Sequence, residues 1–385
     1  MFSCLVGHVG HLRYRARVTE LTLRELNRAT LARQMLLEPS GRGVLDAVEH
    51  LLGLQAQAPF PPYYGLWCRL AAFPPEHLGE MINDRSVVRL SLMRSTVHLV
   101  SAADAVVLRP LTQPMMEKAV RGSAFGRQVA AIDPAAIAAE TRALLADAPL
   151  TGAQLGEGLR RRWPDPSAQA LAVTARALVP LAQVPPRGVW GAAGQARLTT
   201  LEQWLGREVD PAPSIDDVML RYLGAFGPAS VADARAWSGL TGLTDVFARL
   251  RPRLVTFRGP GGTELFDLPD APRPDPETPA PVRLTAEFDN LCLSHADRAR
   301  VLADEDRRLL WSKNGIIPGM VLVDGFTEAT WEIARGRGTA TLTVRQLRPV
   351  PRGYHDEIRA EAARLLRFAA PGDKHDIRFA AHTAG

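Results

Sequence analysis

Residues able to do chemistry are sparse in this chain, and the first of them come as a pair. The stretch GLQAQAPF, residues 53–60, sets Gln55 and Gln57 one residue apart, where the apolar helical stripe of Val44, Val48, Leu51 and Leu52 would continue with another aliphatic side chain. An amide carbonyl can accept from a water or turn its dipole toward a developing cation, yet it is no strong base. Two amides that merely cap nearby backbone would look the same. His98, in RSTVHL on an expected strand, reads either as a site residue or as a satisfied structural histidine. In EFDNLCLSHADR, Asp289, Asn290, Ser294, His295 and Arg298 crowd polar groups around a short apolar core, as a site or a turn network would.

Other chemistries lack their residues. There is no Ser-His-Asp order, P-loop, dinucleotide fingerprint or zinc spacing, and Cys4, Cys68 and Cys292 are scattered. A metal-free protein without cofactor, in a reducing cytoplasmic setting, is the expectation. The net charge of +5 permits contact with a polyanion. Only Lys118, Lys313 and Lys374 among the 46 basic residues are lysines, a bias that also fits a GC-rich genome. No apolar run reaches the roughly 18 residues a membrane span needs.

The elements that must position these residues depend on where one helix ends. If Gly53 caps it, LQAQAP runs extended and both glutamines project to one side; if it continues to Gln57, they diverge. A chain of 385 residues suggests two to four compact units. The clearest lies at 211–269. Ser214 opens a helix, Gly227 and Pro228 stop it, Ser230 caps a second, SGLTG turns, Leu243 to Leu250 forms a third, and LVTFR, GPGG and TELFDL make a hairpin. That is the order of a winged helix-turn-helix. The same order recurs at 131–210, with helices from Pro134, from Thr151 and over 167–181, then VPPRGVWGAAGQARLTT as a wing. A less regular version spans 19–130, with helices near 22–37 and 42–57, one after PFPP, one from Pro75, and RSTVHLV as a wing strand. Residues 1–18 read as a loose extension and 270–281 as a proline-rich linker. The region 282–385 alternates with period two into a small antiparallel sheet or barrel, closed by a helix near 354–369. The fold expected is α+β, mainly α.

Taken in order, LLGLQAQAP, RSTVHLV, RGVWGAAG with WLG downstream, GAFGPASVADARAWSGL and EFDNLCLSHADR resemble the AlkZ/YcaQ family of bacterial winged-helix DNA glycosylases, over residues 19–370. The resemblance implies a catalytic motif of Gln, an apolar residue, then Gln or Asp, matched here by Gln55, Ala56 and Gln57. It implies a monofunctional glycosylase acting on N7-alkylated purines and interstrand crosslinks in double-stranded DNA, in repair or antibiotic self-resistance, as a monomer. Such a base leaves neutral and needs no general acid. Arg94, Thr96, His98, Asn290, Ser294, His295 and Arg298 are then expected to line the site or the DNA surface. The alternative from a different class is a winged-helix transcription regulator without catalytic activity, and a protein-interaction scaffold is a third.

Overall fold

The computed structural model describes residues 19–310 and 316–381. The 1–18 extension, with Cys4, and Lys313 therefore lie outside the described residues. The fold is mixed α/β. Six strands form one sheet: β1 (Leu54–Gln55), β2 (Val87–Ser91), β3 (Val97–Ser101), β4 (Leu150–Thr151), β5 (Leu181–Val184) and β6 (Arg197–Thr200), in the order β1-β3-β2-β5-β6-β4. Strands β7 (Val255–Arg258) and β8 (Glu264–Asp267) pair as a hairpin. A five-stranded sheet holds β9 (Arg283–Thr285), β10 (Gly319–Val323), β11 (Phe326–Gly336), β12 (Thr339–Gln346) and β13 (Lys374–Ala381). It is open, with β9 and β13 at its edges, and β13 runs parallel to β12, so the expected small antiparallel sheet or barrel is replaced by an open mixed sheet. No helix among the described residues is long and apolar enough to cross a membrane.

Local chemistry explains most element ends. Ser214 and Ser230 accept from the backbone of Asp217 and Asp233 and cap the helices Ile215–Phe226 and Val231–Ser238; Leu243–Leu250 follows. Asp133 and Thr151 do the same for Pro134–Leu145 and Gly152–Arg160. The third helix of that segment is Ala168–Leu178, and the expected continuation to 181 fails because Val179 turns extended and Leu181 enters β5. The helix Ala102–Arg121, with Pro110 and Pro114 inside it, was not expected, since interior prolines remove hydrogen bonds.

The helix expected over 42–57 is instead Val44–His50. Leu52 adopts φ 54° and Gly53 φ 90°. Gly53 N donates to Val48 O at 2.9 Å and Leu52 N to Glu49 O at 3.1 Å, which together form a Schellman motif. The helix thus ends at the Gly53 cap and Leu54–Gln55 run extended, but the chain bends over 57–60 instead of continuing extended into Pro59. A Cβ on Gly53 would lie 2.4 Å from Val100 Cγ1, so the position needs glycine for space as well as for φ.

The anticipated wing strand within RSTVHLV is internal, because β3 lies between β1 and β2, and β2 pairs with β5. One sheet therefore joins the first and second segments. Three apolar cores support it. Val44, Leu54 and Tyr63 share one with Leu284, Trp331 and Leu365 from the far end of the chain. Leu52 and Val88 share another with Tyr222, Phe226 and Trp237. Ile137, Leu155 and Leu171 belong to the third. Leu52 and Leu54 flank Gly53 yet enter different cores, so the glutamine segment runs along the seam between them.

Candidate active site

Strand β1 pairs antiparallel with β3, setting Gln55 opposite His98. Ala56 N donates to Val97 O at 2.7 Å. The next rung uses a side chain: Val97 N donates to Gln57 Oε1 at 3.2 Å. Gln55 is 7% exposed, whereas Gln57 is exposed to solvent. One amide is therefore fixed inside and the other stands at the surface, two residues apart. Arg89 supports the segment from behind, donating from Nη2 to Ala56 O at 2.9 Å.

Arg94 sits in the tight turn between β2 and β3, with φ 57° there and 58° at Ser95. From this turn its Nη2 donates to Gln55 Oε1 at 2.8 Å and to Asn290 Oδ1 at 3.0 Å, and it lies 3.4 Å from His98 Nε2. Its Nη1 donates to the carbonyl of Trp237. Asn290 Nδ2 in turn donates to Gly53 O at 3.3 Å. A guanidinium only donates, which fixes two assignments: Gln55 turns its oxygen toward Arg94, and His98 Nε2 is the acceptor. The His98 proton is then on Nδ1, which donates to Thr96 O at 3.1 Å. Burial, with the Arg94 charge second, lowers His98 to about 3, so the ring is neutral near pH 7 and offers no acid. Burial, with Arg298 second, lowers Arg94 to about 10, and it remains a cation.

Of the residues expected from sequence, Gln55, Arg94, His98 and Asn290 form one hydrogen-bonded cluster. Gln57 joins through Val97 and Thr96 through His98. Ser294 and His295 belong to an adjoining cluster that ties the EFDN stretch to the helix Ile215–Phe226. Tyr222 Oη donates to Ser294 O at 2.8 Å and His295 Nε2 bonds Phe226 O at 2.9 Å. Burial, with Arg300 second, holds His295 well below the usual histidine range. Arg298, half-buried, is near enough to Arg94 to affect its titration.

Beside the cluster a crevice is lined by Gln34, Gly53, Gln55, Arg69, Glu287, Asp289 and Asn290 among others. Its free space is about 10 Å³, roughly the room one water needs. Arg69 donates to both oxygens of Asp289 at 2.8 Å, which locks the start of the EFDN turn. Sequence reasoning passed over Arg69, Arg89 and Glu287, which carry no local pattern. Their signal is pairing across more than 200 residues for Arg69, a strand position for Arg89, and adjacency to Asp289 for Glu287. Among the described residues no group of three or more His, Cys, Asp or Glu could hold a metal ion.

Two of the three comparisons with known proteins give matches. A family model described as DNA glycosylase AlkZ-like matches residues 48–368. The solved structure of Streptomyces sahachiroi DNA glycosylase AlkZ superposes with a TM-score of 0.74 at 21% identity, covering 94% of this chain and 100% of that one. At that identity the likeness is one of fold. No curated protein matches the chain by sequence.

Proposed function

Because the chain belongs to the AlkZ-like family of DNA glycosylases and is an enzyme with glycosylase activity, we propose that it hydrolyses the N-glycosidic bond of N7-alkylated purines in duplex DNA, interstrand crosslinks included, with Gln55 and Gln57 as its catalytic residues. Membership in an enzyme family replaces the reading as a non-catalytic regulator.

The observation that carries the proposal is the division between the two amides. Gln57 is exposed and takes the substrate side, where the second lone pair of Oε1 faces the sugar cation or the attacking water. Gln55 is buried and held by Arg94, so it orients rather than approaches. N7 alkylation makes the purine a cation that leaves neutral, which suits a site whose one histidine beside the glutamines stays unprotonated. A crosslinked base cannot be flipped fully out, so the lesion is met in place. Three winged-helix units, 19–130, 131–210 and 211–269, followed by the sheet-bearing region 282–385, would cradle the duplex. The helix, helix, helix and hairpin order of 215–267 supports that reading. The enzyme acts as a monomer inside the cell, in repair or in self-resistance to an alkylating natural product, and water is the attacking group.

The test is release of 7-methylguanine from methylated duplex and strand separation of an N7-crosslinked duplex, each with borohydride present. Free base, an intact abasic strand and no trapped protein adduct are expected. No release from either substrate contradicts the lesion class, and an adduct contradicts attack by water.

A further inference from the structure

Hydrolysis leaves a proton to be moved. The oxygen of water bonds to C1′, the C1′–N bond breaks with its electron pair going to the cationic purine, and the neutral base departs. The proton from that water needs an acceptor. Neither glutamine is one. His98 Nε2 faces the Arg94 cation. Both Asp289 oxygens accept from Arg69 at 2.8 Å, and Oδ1 also accepts from Leu291 N at 2.9 Å.

Glu287 stands apart from these. It lines the same crevice as Gln55, Gly53 and Asn290, and it is half-buried. Asp289, two residues on, is committed to Arg69, while the Glu287 carboxylate makes no hydrogen bond or ion pair with a described residue. The next residue, Phe288, has φ 57°, a conformation that is unfavourable for a bulky side chain and is kept only where surroundings impose it. Here Phe288 is buried in the first core and Asp289 is tied to Arg69, and the reversal lets Glu287, Asp289 and Asn290 line one crevice. Among the described residues eight non-glycine residues have positive φ; four of them, Leu52, Arg94, Ser95 and Phe288, flank this crevice or its cluster.

We infer that Glu287 is the catalytic base, taking the proton of a water held in the crevice beside Gln55 and Asn290. The inference rests on the hydrolytic reading above. Gln55 and Asn290 orient the water, Glu287 accepts its proton as the C1′–O bond forms, and the proton leaves through the exposed side of the carboxylate. Tyr64, on the helix Pro61–Trp67, is near enough for the Glu287 charge to act on its phenol, and the Asp289–Arg69 pair lines the same crevice. Burial lifts the Glu287 carboxyl above its usual range, which makes its ionised form the better base.

The experiment measures single-turnover release against pH for the full chain and for Glu287→Gln and Glu287→Asp. The substrates are duplexes carrying 7-methyl-2′-deoxyguanosine or 3-methyl-2′-deoxyadenosine. For the parent the rate should fall as pH drops, along a limb set above the ordinary carboxylate range. Glu287→Gln should release base about 100-fold more slowly, the low end of what a positioned base contributes. It should lose the acid limb and keep its affinity for a duplex with a tetrahydrofuran abasic analogue. Glu287→Asp should be slower than the parent yet keep the limb, which covers the case of a Gln variant that fails to fold. A parent profile without the limb, a Gln variant within threefold of the parent, a Gln variant that retains the limb, or an Asp variant that loses it would each overturn the inference. If the parent released only the N3-alkylated base, the N7 reading would fall, while the comparison on the released base would still decide the role of Glu287.

Discussion

At the scale of residues, the proposed site is a pair of neutral amides, one of which, Gln55, is held by the Arg94 cation. Arg94 bridges Gln55, Asn290, His98 and the Trp237 carbonyl, so a point charge in its place cannot hold the same fork. Arg94→Lys should slow excision by roughly 10- to 100-fold, as expected when a catalytic group is displaced by an ångström. Single-turnover rates beside duplex affinity check it, and an unchanged rate would show that Gln55 orients itself. A second prediction concerns stability. His98 is held neutral with its titration lowered from 6.5 to about 3. Above pH 6.5 folded and unfolded chains are both unprotonated there and the contribution is complete. As pH falls below 6.5 the unfolded chain binds a proton that the folded one refuses, and stability declines by roughly 1.4 kcal/mol per pH unit. Urea midpoints between pH 7 and pH 5 should drop for the parent and drop less for His98→Asn; equal slopes would contradict a buried neutral ring. The glutamines, His98 and the EFDN polar cluster were legible because polar residues at apolar positions demand partners. Arg69, Arg89 and Glu287 were not, because their roles exist only after distant segments meet.

Elements decide how the residues are presented. The helix Val44–His50 ends in a Schellman motif on Leu52 and Gly53, and this reversal aims β1 along β3. Gly53→Ala places a Cβ 2.4 Å from Val100 Cγ1 at φ 90°, so it should destabilise the fold by about 2 kcal/mol or more and reduce excision beyond what the lost folded fraction explains. Denaturation midpoints and activity per folded molecule separate the two effects, and a stable, fully active variant would contradict the need for glycine. Elements with caps read well from sequence: Ser214, Ser230, Asp133 and Thr151 announce helices that the structure contains. The stripe through Val48 and Leu51 overran its helix, since apolar residues continue through the turn at Leu52 to the strand residue Leu54, each entering a different core. Pro110 and Pro114 concealed the longest helix, and the parallel pairing of β13 with β12 left no local mark.

For the whole molecule, three segments far apart in sequence converge on one seam: the glutamine strand, the β2–β3 turn and the EFDN stretch. That convergence is invisible to local patterns, and only the resemblance in motif order anticipated it. Affinity for undamaged duplex should be nearly indifferent to sequence and fall steeply with salt, as expected of arginines that meet phosphates. Competition against random duplex measures it, and a preference of three or more orders of magnitude for one sequence would indicate base readout instead. The central claim is that the two amides act in the transition state and not in ground-state binding. It is tested most directly by single-turnover release of 7-methylguanine from duplex by the parent, Gln55→Ala and Gln57→Ala, with the affinity of each for an abasic-analogue duplex measured alongside. Both variants should excise at least about tenfold more slowly at nearly unchanged affinity. Parent-like rates in both, or losses of rate matched by equal losses of affinity, would contradict the catalytic role of the pair.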